Sequence, residues 1–220
     1  MLKGIVFDLD GTLVDSLGVT FKGFNHALAS MKVRPHSPAE IMAHFGTGED
    51  RIFAKLVGLD RAQEAYSLFQ VYMNENVNRV PLHNGIGELL ENIRNEKVLT
   101  SIFTGRSWNT TETILKYHGL LNSFVTVVAH DHVEFPKPSP MGLHLALSRM
   151  KLSPEQILFV GDSPMDIIAS RAAGSQGVAA LWDVLANQKE LEQHQPDHWA
   201  THPEDVWKIW EKVRTQNSAK

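Results

Sequence analysis

The chain has 220 residues, 43% of them apolar and 21% charged, which is the balance of a globular protein of one domain, or one domain with an insertion, and not of a disordered tail. Its 21 basic and 25 acidic residues leave a formal net charge of −4, which gives no reason to expect a nucleic acid or an anionic membrane as partner. The absence of cysteine excludes disulfides, thiolate metal sites and thiol catalysis, and fits a reducing compartment.

The opening stretch MLKGIVFDLDGT turns polar too soon for a signal peptide, and no apolar run approaches the ~20 residues of a membrane span. A cytoplasmic chain is the expectation. Lys3–Leu9 reads as a strand, with Ile5–Phe7 as its β-branched and aromatic centre. Helical segments follow near Ser16–Met31, Pro38–His44, Gly48–Val57 and Arg61–Arg79, and none of this stretch reads as a strand. Strand and helix then alternate: helices Ile86–Asn95, Trp108–His118, Met141–Met150 and Pro164–Ala173 fall among strands Val98–Phe103, Phe124–Ala129, Ile157–Val160 and Gly177–Leu181. Near-continuous apolar strands alternating with helices imply an open parallel Rossmann-like sheet, α/β in class, with helices on both faces.

About 90 residues separate the first strand from the second, where a simple crossover needs a dozen or more. The expected division is an α/β core, residues 1–15 and 83–220, with an all-helical cap inserted at 16–82; Pro81 and Gly85 punctuate its exit. Asn187–Pro203 reads as a polar surface loop. Its His194, His198 and His202 have the spacing of helical metal ligands, but Pro196 breaks any such helix. A last amphipathic helix, Glu204–Thr215, carries Val206, Ile209, Trp210 and Val213 on one side.

The chemistry-bearing residues sit at strand ends. Asp8 and Asp10 flank Leu9 and point the same way if the chain stays extended. A calcium loop would need its glycine at the sixth position after a helix; two exposed turn aspartates remain the plain alternative. Thr104-Gly105-Arg106-Ser107 ends the second strand at a helix N-terminus, where a hydroxyl, a bare backbone and a cation suit an anion, or form only a turn with a solvated arginine. Lys137, in Phe135-Pro-Lys-Pro-Ser-Pro140, is held extended by the following proline. Asp162 and Asp166 close the fourth strand in GDSPMD; Ser163 and Asp166 also fit a capping box. If both strand ends are neighbours, four carboxylates converge and need positive charge, and Mg2+, with its carboxylate, water and phosphate ligands, suits this all-oxygen set.

In this order, FDLDGT, FTGRS, KPSP and FVGDSPMD resemble the four motifs of the haloacid dehalogenase-like hydrolase superfamily, and the resemblance runs over nearly the whole chain. Within it the chain looks most like the phosphoglycolate phosphatase-like group with a helical cap. The resemblance implies a Mg2+-dependent phosphatase acting on a small phosphorylated metabolite such as phosphoglycolate, through an aspartyl-phosphate. Asp8 would be the nucleophile, Asp10 the acid and base, and Lys137 the charge-balancing catalytic lysine. Thr104, Gly105 and the Gly11 amide would bind phosphate. Asp8, the Asp10 backbone carbonyl, Asp162 and Asp166 would hold the metal. Pyrophosphate or sugar-phosphate hydrolysis, mutase chemistry, and a non-catalytic phospho-metabolite-binding module are the alternatives. Asp10 argues against dehalogenases, which lack it. Thr20 stands where β-phosphoglucomutases carry a histidine, and His26 does not match that position. Related phosphatases often place Asn-Lys where this chain has Gly105-Arg106. Arg51, on the Phe45–Arg51 turn, and Lys22 and Arg106 are candidate contacts for an anionic substrate tail. The chain is expected to act as a monomer or homodimer, without nucleic acid or membrane.

Overall fold

The computed structural model describes residues 1–216. Its strands are β1 (Gly4–Phe7), β2 (Leu99–Phe103), β3 (Thr126–Val128), β4 (Ile157–Gly161), β5 (Gln176–Ala180) and β6 (His198–Ala200). They form one sheet in the order β3-β2-β1-β4-β5-β6, every neighbouring pair parallel. The period of two in each strand sorts the side chains to two faces. Ile5, Phe7, Ile102, Leu158, Val160 and Val178 share a buried cluster with Ile86, Leu89 and Ile93 of α5 (Ile86–Asn95), Ile114 and Leu115 of the helix Trp108–Tyr117, and Val206, Trp210 and Val213 of the helix Pro203–Gln216. Val6, Phe103, Val128 and Phe159 face the other way, onto Leu143, Ala146, Leu147 and Met150 of the helix Met141–Met150 and Ala169 and Ala173 of the helix Pro164–Ala173. Helices therefore cover both faces, which is what all-parallel strands require.

Between β1 and α5 the chain is helical: α1 (Leu17–Ser30), α2 (Pro38–Met42), α3 (Glu49–Val57) and α4 (Leu59–Asn76). Phe24, Phe53 and Phe69 tie α1, α3 and α4 together, with ring centroids 4.7 Å apart for Phe24–Phe53 and 4.8 Å for Phe24–Phe69. The two chain segments joining these helices to the sheet run side by side: Val14 bridges Leu82 in antiparallel fashion, Asp15 N–H donates to Pro81 O at 3.0 Å, and His83 N–H donates to Leu13 O at 3.0 Å.

After α5 come α6 (Trp108–Tyr117), α7 (Met141–Met150), α8 (Pro164–Ala173), α9 (Gln188–Glu192) and α10 (Pro203–Gln216). The stretch 187–203, expected to be loop, holds α9 and β6. Leu191 anchors α9 against Ile167 and Ala179, and β6 pairs with β5 from His198↔Val178 to Ala200↔Ala180. Three residues on an edge carry too little alternation to be seen in the sequence. His198 spends its ring nitrogen on Gln176 at 2.8 Å, and His202 is exposed.

Candidate active site

In the order β3-β2-β1-β4 the chain first builds outward from β1 on one side, then crosses to the other, so the carboxyl ends of β1 and β4 flank a crevice where such sheets bind ligands. Phe7 pairs with Val160, and Asp8 N–H continues the ladder to Val160 O at 2.8 Å. That register delivers Asp8 and Asp162 from adjacent strand ends. Asp166 arrives from the first turn of α8. One of its oxygens accepts from Ser163 N–H at 3.1 Å and Ser163 Oγ at 2.6 Å, closing the capping box; the other meets Lys137 Nζ at 2.5 Å. Lys137 also lies 2.9 Å from Asp8 Oδ1 and rests 5.0 Å and 5.2 Å from the ring centroids of Phe103 and Phe159. Asp8 Oδ1 accepts from Leu9 N–H at 2.7 Å, and Thr12 Oγ1 donates to Asp162 at 2.9 Å.

Gly11 has φ +74°, and a Cβ there would collide with the Asp162 carboxylate. Its amide, a candidate phosphate donor in the sequence, instead donates to Val14 O at 2.9 Å. Gly11 therefore serves the turn that brings Asp162 close. Thr104 and Gly105 line the same crevice, and the Thr104 hydroxyl accepts from Arg106 N–H at 3.1 Å.

One oxygen each from Asp8, Asp162 and Asp166 lies within 4.8 Å of the others. Burial pushes the Asp8 carboxyl up to about 7, with Asp166 and Asp10 adding repulsion against the pull of Lys137. Burial, then Asp8 and Asp166, hold Asp162 well above the usual range. Burial opposes charge on Lys137, but Asp166 and Asp8 outweigh it and raise its proton affinity. Among the described residues a single ammonium, paired with Asp8 and Asp166, thus stands beside a cluster of three close carboxylates. The raised proton affinities mark a shortage of positive charge, and the donors are all hard oxygens. This set fits Mg2+.

Asp10 belongs to a different network. Arg106 Nε reaches both its oxygens, at 3.0 Å and 2.9 Å, and Arg106 Nη2 reaches Oδ1 at 2.7 Å; Ser16 Oγ donates to the same carboxylate. The guanidinium also donates to Thr20 Oγ1 at 2.7 Å and lies 3.4 Å from Glu49. Glu49, the first residue of α3, is buried and accepts from Ser107 N–H at 2.8 Å and Thr110 Oγ1 at 2.9 Å. Burial works against the charge on Arg106, yet Asp10 and Glu49 raise its proton affinity above the ordinary value. Glu49 escaped the sequence reading. Its only signal is the first of two adjacent acids, Glu49-Asp50, directly after Gly-Thr-Gly, in a turn singled out for other residues.

Of the cations offered to a substrate, Arg106 lines the cavity but is given to Asp10, Glu49 and Thr20, whereas Lys22 and Arg51 are exposed and do not line it. His130 is buried against Gly48. The cavity over the acids holds about 290 Å3 and extends between the core loops and α1, α2 and α3. Among the described residues no helix is long and apolar enough to cross a membrane.

Three comparisons bear on this arrangement. A family model described as haloacid dehalogenase-like hydrolase matches residues 5–180. Curated relatives include a phosphoglycolate phosphatase of Mannheimia succiniciproducens, 30% identical over 89% of this chain and 92% of that protein. A pyrophosphatase PpaX of Bacillus mycoides is 27% identical over 96% of this chain and 98% of its own length. Among solved structures, a predicted phosphoglycolate phosphatase from Haemophilus somnus superposes with a TM-score of 0.85 at 28% identity, covering 94% of this chain and 97% of that one. A haloacid dehalogenase-like hydrolase from Streptococcus pneumoniae gives 0.80 at 27% identity, over 95% and 98%.

Proposed function

The chain belongs to the haloacid dehalogenase-like hydrolases, and from that premise we propose that it is a Mg2+-dependent phosphatase that hydrolyses a small phosphorylated metabolite through a phosphoryl group carried on Asp8. The observation that carries this reading is the buried cluster of Asp8, Asp162, Asp166 and Lys137 at the ends of β1 and β4.

Asp8, Asp162 and the Asp10 backbone carbonyl would hold Mg2+, with Asp166 as a further ligand or as the group that positions Lys137. When bound, the cation screens the nucleophile from the phosphoryl oxygens and steadies the transferring group. Asp8 attacks phosphorus, forming the carboxylate–phosphorus bond as the ester P–O bond breaks. Asp10 gives its proton to the departing oxygen, then takes one from the water that attacks the phospho-aspartate, restoring Asp8 and releasing phosphate. Arg106 and Ser16 fix the Asp10 carboxylate for both transfers. Lys137 balances the acids, and Thr104 with the Gly105 backbone receives phosphate oxygens. Residues 16–82 act as a cap that covers the site during transfer, swinging on the paired linkers at Val14–Asp15 and Pro81–His83.

Phosphate release should be assayed over small phosphoesters, including the phosphoglycolate and pyrophosphate of the relatives' names, with and without Mg2+. Turnover that needs Mg2+ and is lost in Asp8→Asn supports the reading. No Mg2+-dependent release from any phosphoester would sink it.

A further inference from the structure

The walls of the cavity narrow the substrate. Among the described residues two cations line it, Lys137 and Arg106. Lys137 is bound to Asp8 and Asp166, and Arg106 to Asp10, Glu49 and Thr20. Neither is left for a second anionic group on the substrate. Glu49 lines the cavity as a buried acid, and its partners are Arg106, Ser107 N–H and Thr110 Oγ1. Leu17 and Phe24 of α1, Met42 and Phe45 around the end of α2, Ile52 of α3 and Leu185 make the larger part of the remaining lining, beside Asn187, Glu190 and the Gly46 and Gly48 backbone. The Thr20 hydroxyl already accepts from Arg106.

We propose that the leaving group is an uncharged, predominantly apolar alcohol, and that Glu49 is the specificity-determining residue that turns away anionic ones. This rests on the phosphatase reading above and goes further, because it sets the chain apart from the relatives named for phosphoglycolate and pyrophosphate. Each of those compounds would bring a second anion next to Glu49, with no unpaired cation among the described lining residues to meet it. A carboxylate or phosphate buried without a partner is among the least favourable of ligands. A sugar phosphate meets a related difficulty: hydroxyls that lose water against leucine, phenylalanine and isoleucine find few partners. An alkyl chain loses nothing there and gains with each methylene buried.

The test is kcat/KM with Mg2+ for methyl, ethyl, n-propyl and n-butyl phosphate, set beside phosphoglycolate, pyrophosphate and glucose 6-phosphate. The expected result is a rise of roughly threefold to fourfold per methylene, with n-butyl phosphate at least tenfold above the anionic compounds and the sugar phosphate. Glu49→Gln, which keeps the amide oxygen as an acceptor, should raise the ratio of phosphoglycolate to n-butyl phosphate turnover several-fold. Flat dependence on chain length, phosphoglycolate or pyrophosphate preferred, or an unchanged ratio in a folded Glu49→Gln would each overturn the proposal while leaving the phosphatase reading standing. If Glu49→Gln fails to fold, the wild-type series decides alone. Absence of Mg2+-dependent turnover on every compound would remove the phosphatase reading, and the proposal with it.

Discussion

Arg106 joins the two halves of the site through one planar group. Its fork holds both oxygens of Asp10 and touches Glu49 on α3 and Thr20 on α1. Lysine would keep the charge but lose the fork, and so lose the orientation of Asp10. Arg106→Lys is expected to lower kcat about tenfold or more, with the unfolding free energy falling by about 1–3 kcal/mol as acceptors lose their donors. Steady-state kinetics and urea titration on the same preparation separate the two effects. A variant with wild-type kcat would show that Asp10 needs no such holding. Asp8, Asp10, Thr104 and Asp162 stood out in the sequence because each follows an apolar strand, Lys137 because prolines flank it, and Asp166 because it closes the same short motif as Asp162. The destination of Arg106 was not. Its partners lie 96 and 57 positions away, and nothing in local periodicity tells a solvated arginine from a buried one.

At the scale of elements, the site depends on how closely α7 lies on β2. Gly142 lies in the first turn of α7, and a β-carbon there would overlap the ring of Phe103, the same ring that Lys137 rests on. Gly142→Ala should therefore cost about 1–3 kcal/mol by overpacking, read as a lower urea midpoint. It should also lower turnover, because the displaced ring disturbs Lys137. An unchanged midpoint would mean that α7 can shift away freely. The strands at the centre of the sheet were readable because they are buried on both faces: Ile5, Val6 and Phe7, or Leu158, Phe159 and Val160, have no exposed member. At the edge the signal fades. β6 contributes three residues, of which Trp199 is partly exposed and His198 is polar, so composition alone resembled loop. The gathering of α1, α3 and α4 around Phe24, Phe53 and Phe69 was visible only as helical spacing, not as a shared cluster.

For the whole molecule, the acidic cluster links stability to pH and to metal. Asp8 binds its proton more tightly folded, at about 7, than at its ordinary value of 3.8, and Asp162 is shifted in the same direction. Between those values the folded state holds protons that the unfolded chain has lost, so stability falls as pH rises through that window. Lys137, whose proton affinity is raised, contributes stability that persists throughout it. In the presence of a chelator, the melting temperature should be higher near pH 5 than near pH 7.5. Added Mg2+ should raise it most at the higher pH, by mass action on ionised ligands. A metal-free protein that grows more stable from pH 5 to 7.5 would contradict this picture of the cluster. The mild net charge of −4 concealed all of this, since the relevant charge is concentrated at two strand ends.

The most direct test of phosphoryl transfer through Asp8 is a rapid acid quench. The enzyme is mixed with Mg2+ and an alkyl phosphate carrying labelled phosphorus, stopped within one turnover, digested and mapped by mass spectrometry. The expected result is label on the peptide containing Asp8, acid-stable and hydroxylamine-labile, building up and decaying within the turnover time and absent in Asp8→Asn. Full turnover with no labelled peptide, or with label on another residue, would contradict the covalent mechanism.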